Sequence, residues 1–116
     1  MSQSGRMRRV DEAIREVLSD AIQQDLKDPR IGFVTVTSVQ TSTDLRHATV
    51  WVSVFGDDAK RRLSMEGLRS AHGTLQRVVA RQLRLKHTPQ LTFNFDDTLD
   101  KAERIERILR EAGDGE

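Results

Sequence analysis

Arg77, Arg81 and Arg84 fall at positions i, i+4 and i+7, which a helix turning about 100° per residue aligns on one stripe. Leu75, Val78, Val79 and Leu83 fall on the opposite side. A helix of this kind has one face to bury and one that presents three guanidiniums. Each guanidinium is a planar fork of donors matched to phosphate oxygens. The chemistry suggested is therefore the binding of a phosphate backbone rather than catalysis. The surrounding segment agrees. From Lys60 to His87 it holds eight cations (Lys60, Arg61, Arg62, Arg69, Arg77, Arg81, Arg84 and Lys86) and one anion, Glu66, whereas the whole chain is only +1. A concentrated basic element in a nearly neutral chain gives a directed electrostatic face. A solvated helix face is the plain alternative, but such faces usually mix signs at i, i+4.

Groups for other chemistry are sparse. His47, His72 and His87 form no metal-ligand spacing, and the chain has no cysteine. Asp96 and Asp97 are neighbours that a strand points to opposite faces, so a turn and a helix cap account for them. No nucleophile, base and orienting group recur at a recognisable spacing. The expectation is no enzyme, no metal and no cofactor. Arg8 and Arg9, with Arg6, sit on a basic end and form a second candidate contact. Trp51 could stack on a base, although a strand tryptophan more often covers core. His72 could touch phosphate or stand solvated.

The chain has 116 residues, of which 36% are apolar and 32% charged. This bounds it to one domain with a modest core. No apolar run is long enough to span a bilayer, and Met1–Arg9 lacks the apolar stretch of a signal peptide. A cytoplasmic location is expected. Residues 1–5 read as a flexible N-terminus, 6–112 as one domain, and 113–116 as a short tail.

Helical spacing runs from Met7 to Lys27 and ends at Asp28-Pro29, since the residue before proline is pushed out of the α region. Phe33–Val39 and Arg46–Phe55 are strands joined by a polar turn, the second alternating Ala48, Val50, Val52 and Val54 with Thr49, Trp51 and Ser53. A helix is predicted over Asp58–Ser70. The interruption at Ala71, His72 and Gly73 reads as an interhelical kink, with Gly73 free to take positive φ. Thr74 then caps a helix running to Leu85. Gln90–Phe95 is a third strand, and Thr98–Ala112 an amphipathic helix. Residues 94–116 carry eight acids and four bases, so this end is acidic. The order predicts an α+β domain with a three-stranded sheet covered by helices on one face.

Three stretches carry a family resemblance: Asp28-Pro29-Arg30-Ile31-Gly32 before Thr35-Val36-Thr37; Asp44-Leu45-Arg46-His47-Ala48 entering Val50-Trp51-Val52; and Arg84 through Phe93, ending at Asp96. In this order they resemble the ribosome-binding factor A family of bacterial small-subunit assembly factors, over nearly the whole chain. The resemblance implies a KH-like domain of the second type with Ala-x-Gly at the kink in place of the GxxG loop of RNA-clamping KH domains. It implies a non-enzymatic protein that binds the free small ribosomal subunit and its immature rRNA. Late maturation and rRNA processing, including at low temperature, are the implied role, with no membrane or small-molecule substrate; nothing in the sequence demands more than a monomer off the ribosome. Arg77, Arg81, Arg84, Lys86, Arg69, Arg61, Arg62, Arg8 and Arg9 are the candidate rRNA contacts. Some family members carry a longer C-terminal extension than the short acidic tail here. A protein-binding module, using the last helix and the Trp51 face, is the alternative that weak salt dependence would reveal.

Overall fold

The computed structural model describes residues 5–114, so Met1–Ser4 and residues 115–116 of the two expected flexible ends lie outside the described residues. The elements are α1 (Gly5–Gln24), β1 (Val34–Thr41), β2 (His47–Val54), α2 (Asp58–Ser70), α3 (His72–Leu83), β3 (Gln90–Phe95) and α4 (Thr98–Asp114). Gly5 opens α1 and Gly113 lies inside α4, so neither is part of an irregular end.

The sheet has the order β1-β2-β3. β1 and β2 are antiparallel, whereas β3 runs parallel to β2. A parallel neighbour requires a long crossover, and α2 and α3 supply it. Inward residues Ala48, Val50, Val52 and Val54 of β2 meet Leu91 and Phe93 of β3 and Val34, Val36 and Val39 of β1. Ile14, Leu18 and Ala21 of α1, Met65 and Leu68 of α2, and Leu75, Val78 and Val79 of α3 close the core. The register shifts between Val36 and Ser38, so Thr37 is an extra residue in β1. That bulge lets Val34, Val36, Val39 and Thr41 all point inward, although their spacing breaks strict alternation. The buried Asp11 carboxylate accepts the Thr41 N–H at 2.9 Å, joining the far end of β1 to α1. Trp51 points away from the helices and is half-buried, so it does not belong to the core.

The connector after α1 is a built corner. Asp28 Oδ1 accepts the Arg30 N–H at 2.9 Å, and Arg30 Nη2 pairs with Asp28 Oδ2 at 2.6 Å. The corner docks on α2, where the buried Ser64 hydroxyl accepts the Gly32 N–H at 3.1 Å and donates to the Arg30 carbonyl at 3.3 Å. Gly67, one turn along α2, lies so close to Ile31 that an added Cβ would sit 2.6 Å from Ile31 Cγ1.

α4 departs from the domain. Ile105, Ile108 and Leu109 are 59%, 58% and 66% exposed. The radius of gyration is 16.7 Å, against ~13 Å for a compact domain of about 100 residues.

Candidate nucleic-acid interface

The basic segment folds into α2, α3 and the turn that follows. Asp57 starts α2, accepting the Lys60 N–H on its carboxylate at 2.9 Å, and Asp58 adds an acid to the first turn, where the helix dipole favours it. α3 buries Leu75, Val78 and Val79 and turns Arg77 and Arg81 outward, as the spacing predicts. Two details depart from that prediction. The helix ends at Leu83 rather than Leu85, because Arg84 adopts the left-handed conformation (φ 49°, ψ 40°). Arg84 thus closes the helix as its C-cap and stays exposed. Thr74 lies within the first turn of α3 and is not its cap; Ala71 holds that position without a side-chain hydrogen bond.

The kink also differs from expectation. Its single non-helical residue is Ala71 (φ −85°, ψ 6°). Among the described residues positive φ occurs at Leu45, Arg84 and Gly56, and Gly73 is helical. A Cβ on Gly73 would meet only an Arg77 guanidinium nitrogen, at 3.6 Å. Neither conformation nor space at the kink demands glycine there.

The candidate cations separate into two groups. Arg62, Arg77, Arg81, Arg84 and Lys86 are exposed, and none of the ion pairs among the described residues involves them. Arg61, half-buried, and Arg69, exposed, have partners within the protein. Arg61 pairs with Asp58 at 3.5 Å and stacks over the Phe95 ring, 5.3 Å from its centroid. Arg69 donates to the Phe93 carbonyl at 3.3 Å. These two arginines, with Arg62, Asp58, Met65, Glu66 and Phe95, line a groove beside α2. Arg8 and Arg9 are exposed on the first turns of α1, in regular helix rather than a loose end. Arg8 lines a separate cleft with Asp11, Glu12, Arg15 and the β1 bulge, a mixed-sign setting.

His72 is half-buried. Its Nε2–H donates to the Leu91 carbonyl at 2.9 Å. Gln76, one turn on, donates to the Pro89 carbonyl at 2.6 Å and accepts the Leu91 N–H at 3.1 Å. Arg69, His72 and Gln76 together cover the outer edge of β3 around Leu91 and the Phe93 carbonyl, which would otherwise be open to another strand. The sequence reading missed Gln76; its one visible signal was its place one turn beyond the kink histidine.

Among the described residues no group of three His, Cys, Asp or Glu side chains is placed to hold a metal ion. No helix among them is long and apolar enough to cross a membrane. The surface presents the exposed cations Arg62, Arg77, Arg81, Arg84 and Lys86 on the helical crossover between β2 and β3 and the turn that follows α3.

Comparison with known proteins fits this geometry. A family model described as Ribosome-binding factor A matches residues 6–109. Ribosome-binding factor A of Anaeromyxobacter sp. (strain Fw109-5) is 49% identical over 97% of this chain and 93% of its own length. The crystal structure of ribosome-binding factor A from Thermus thermophilus superposes with a TM-score of 0.68 at 27% identity, covering 76% of this chain and 93% of that one. A homology model of the Thermus thermophilus protein, fitted into the cryo-EM map of a 30S complex, gives 0.63 at 28% identity, covering 74% and 90%. The chain belongs to the ribosome-binding factor A family.

Proposed function

We propose that this protein is a non-enzymatic assembly factor that binds the free small ribosomal subunit and its immature rRNA. In this reading it acts in the cytoplasm as a monomer, assists late maturation and rRNA processing, and does so at low temperature as well. The observation that carries the reading is the set of exposed, un-ion-paired cations on α2, α3 and the following turn: Arg62, Arg77, Arg81, Arg84 and Lys86. Phosphates bound there would be held by charge and helix geometry, with no GxxG loop to clamp the backbone. The relative fitted into a 30S map supplies the class of partner. Arg61 and Arg69 serve mainly to fix α2 against β3, and Arg8 and Arg9 form a second, smaller contact.

The test is co-sedimentation of the full chain with free small subunits, free large subunits and joined ribosomes across a salt series. Selective, salt-sensitive migration with the free small subunit is the expected result. Equal association with every particle would reduce the protein to a generic RNA binder. Salt-insensitive association would favour a protein contact through the exposed apolar residues of α4.

A further inference from the structure

Two phenylalanine rings stand almost fully in water at one end of the sheet, Phe33 at 83% and Phe55 at 81% exposure. The Phe55 N–H donates to the Phe33 carbonyl at 3.0 Å. The two residues therefore form the rung beyond the Val34–Val54 pair. Residues opposite each other on an antiparallel rung share a face, with Cβ atoms about 4.5–5.5 Å apart. Val34 and Val54 are buried toward the helices, whereas Phe33 and Phe55 are exposed; Phe33 also borders a cleft with Ile22 and Gln23 of α1 and with Leu26 and Ile31.

The strand residues next to these rings are uncharged. Thr35 and Ser53 form the adjacent outward pair, with Trp51 and its cross-strand neighbours Ser38 and Asn94 beyond them. Asp96, the acid that follows β3, is held by Thr37 Oγ1 at 2.7 Å and by the Thr98 N–H at 3.0 Å. At the other end Gly56 follows Phe55, and an added Cβ there would lie 2.7 Å from Lys60 Cδ. The Lys60 stem thus rests on the chain immediately beside Phe55. From Lys60 the exposed cations continue along α2 to Arg62. Asp57 and Asp58, the acids of this corner, are engaged with the Lys60 N–H and with Arg61.

We propose that Phe33 and Phe55 form a stacking platform for unpaired bases of a single-stranded RNA segment, whose phosphates are met by Lys60. The proposal rests on the RNA-binding reading above and adds a contact that charge alone does not supply. Every base has a π face, so such a platform is sequence-tolerant. Aromatic side chains on an open sheet face, flanked by hydrogen-bonding groups, are a known arrangement for single-stranded RNA.

The test uses the full chain and fluorescein-labelled single-stranded oligouridylate of about 12 nucleotides, a length within known site sizes. An abasic oligonucleotide of equal length is the control. The F33A/F55A variant should bind oligouridylate at least about tenfold more weakly, the effect of losing one stacked base. Its melting temperature and the salt dependence of binding should be unchanged, and its affinity for the abasic strand should equal that of the unaltered chain. F33Y/F55Y should keep the affinity. If F33A/F55A binds as tightly as the unaltered chain while an R77E/R81E variant loses binding, the platform is overturned and the RNA-binding reading stands. If the unaltered chain binds neither RNA nor subunits, both fall. A dimer in sedimentation velocity that F33A/F55A converts to monomer would overturn the platform in favour of a contact between copies.

Discussion

At the scale of single residues, two glycines in neighbouring helices show how differently the same residue type can be constrained. Gly67 is where the Asp28–Gly32 corner touches α2, and a methyl group there would press on Ile31 Cγ1 from 2.6 Å. The Gly67→Ala variant gains helix propensity but must displace that corner, so a net loss of about 1–3 kcal/mol is expected from overpacking. Gly73 has room for a methyl and ordinary helical geometry. Gly73→Ala should therefore be neutral or stabilise by up to about 1 kcal/mol. Urea unfolding of both variants checks the contrast, and a damaging Gly73→Ala would contradict the helical reading of the kink. The corner also carries a pH signature. The Arg30 side chain, and then the Arg30 N–H, hold the Asp28 carboxyl below the usual carboxylate range. A folded value below the unfolded one makes the contribution full above the ordinary pKa of ~3.9 and lost as pH falls through the folded value. The melting temperature of the unaltered chain should exceed that of Asp28→Asn near neutrality. Their difference should shrink only below about pH 4.

At the scale of elements, the parts legible in the sequence were those whose information is local. The β2 alternation and the α3 stripe each state which side is buried, and the structure places Val50, Val52, Leu75 and Val79 in the core accordingly. The bulge in β1 was hidden because Val34, Val36 and Val39 read as an irregular strand until their partners on β2 are known. The roles of Arg69, His72 and Gln76 were hidden for the same reason. Each is defined by a backbone group on β3 or the turn before it, 13 to 24 residues away in sequence. His72 of the kink thereby forms part of an edge cover. Gln76 carries most of this cover, bonding both the Pro89 carbonyl and the Leu91 N–H. Gln76→Ala leaves two backbone groups of buried residues without their partner, and a loss of about 1–3 kcal/mol is expected. Amide exchange locates the effect: the Leu91 amide should lose protection well before the amides of the β1–β2 pair. Uniform loss across the sheet would mean that β3 is not held separately.

At the scale of the whole molecule, the protein is electrically lopsided while nearly neutral. The crossover between β2 and β3 carries the excess positive charge, and the segment after β3 carries the compensating acid. Because α4 leaves its apolar residues Ile105, Ile108 and Leu109 exposed, it adds little to the core. A chain ending at Asp97 should unfold within about 0.5 kcal/mol of the full one, as urea denaturation would show. A much larger loss would mean that α4 packs on the domain in solution. The same architecture lets the basic surface be altered without touching the fold, since Arg77 and Arg81 point outward from a helix whose other side is held by Leu75, Val78 and Val79. Reversing both arginines to glutamate should leave the melting temperature nearly unchanged and weaken binding to the small subunit. The salt dependence separates this from a general loss of affinity. Each phosphate contact contributes about 0.7–0.9 to the slope of log affinity against log salt concentration. The double reversal should flatten that slope by about 1.4 or more. Weakened binding with an unchanged slope would show that these arginines shape the surface without meeting phosphate. Unchanged binding would remove the α3 face from the interface and leave Arg62, Lys86 and the N-terminal arginines to carry it.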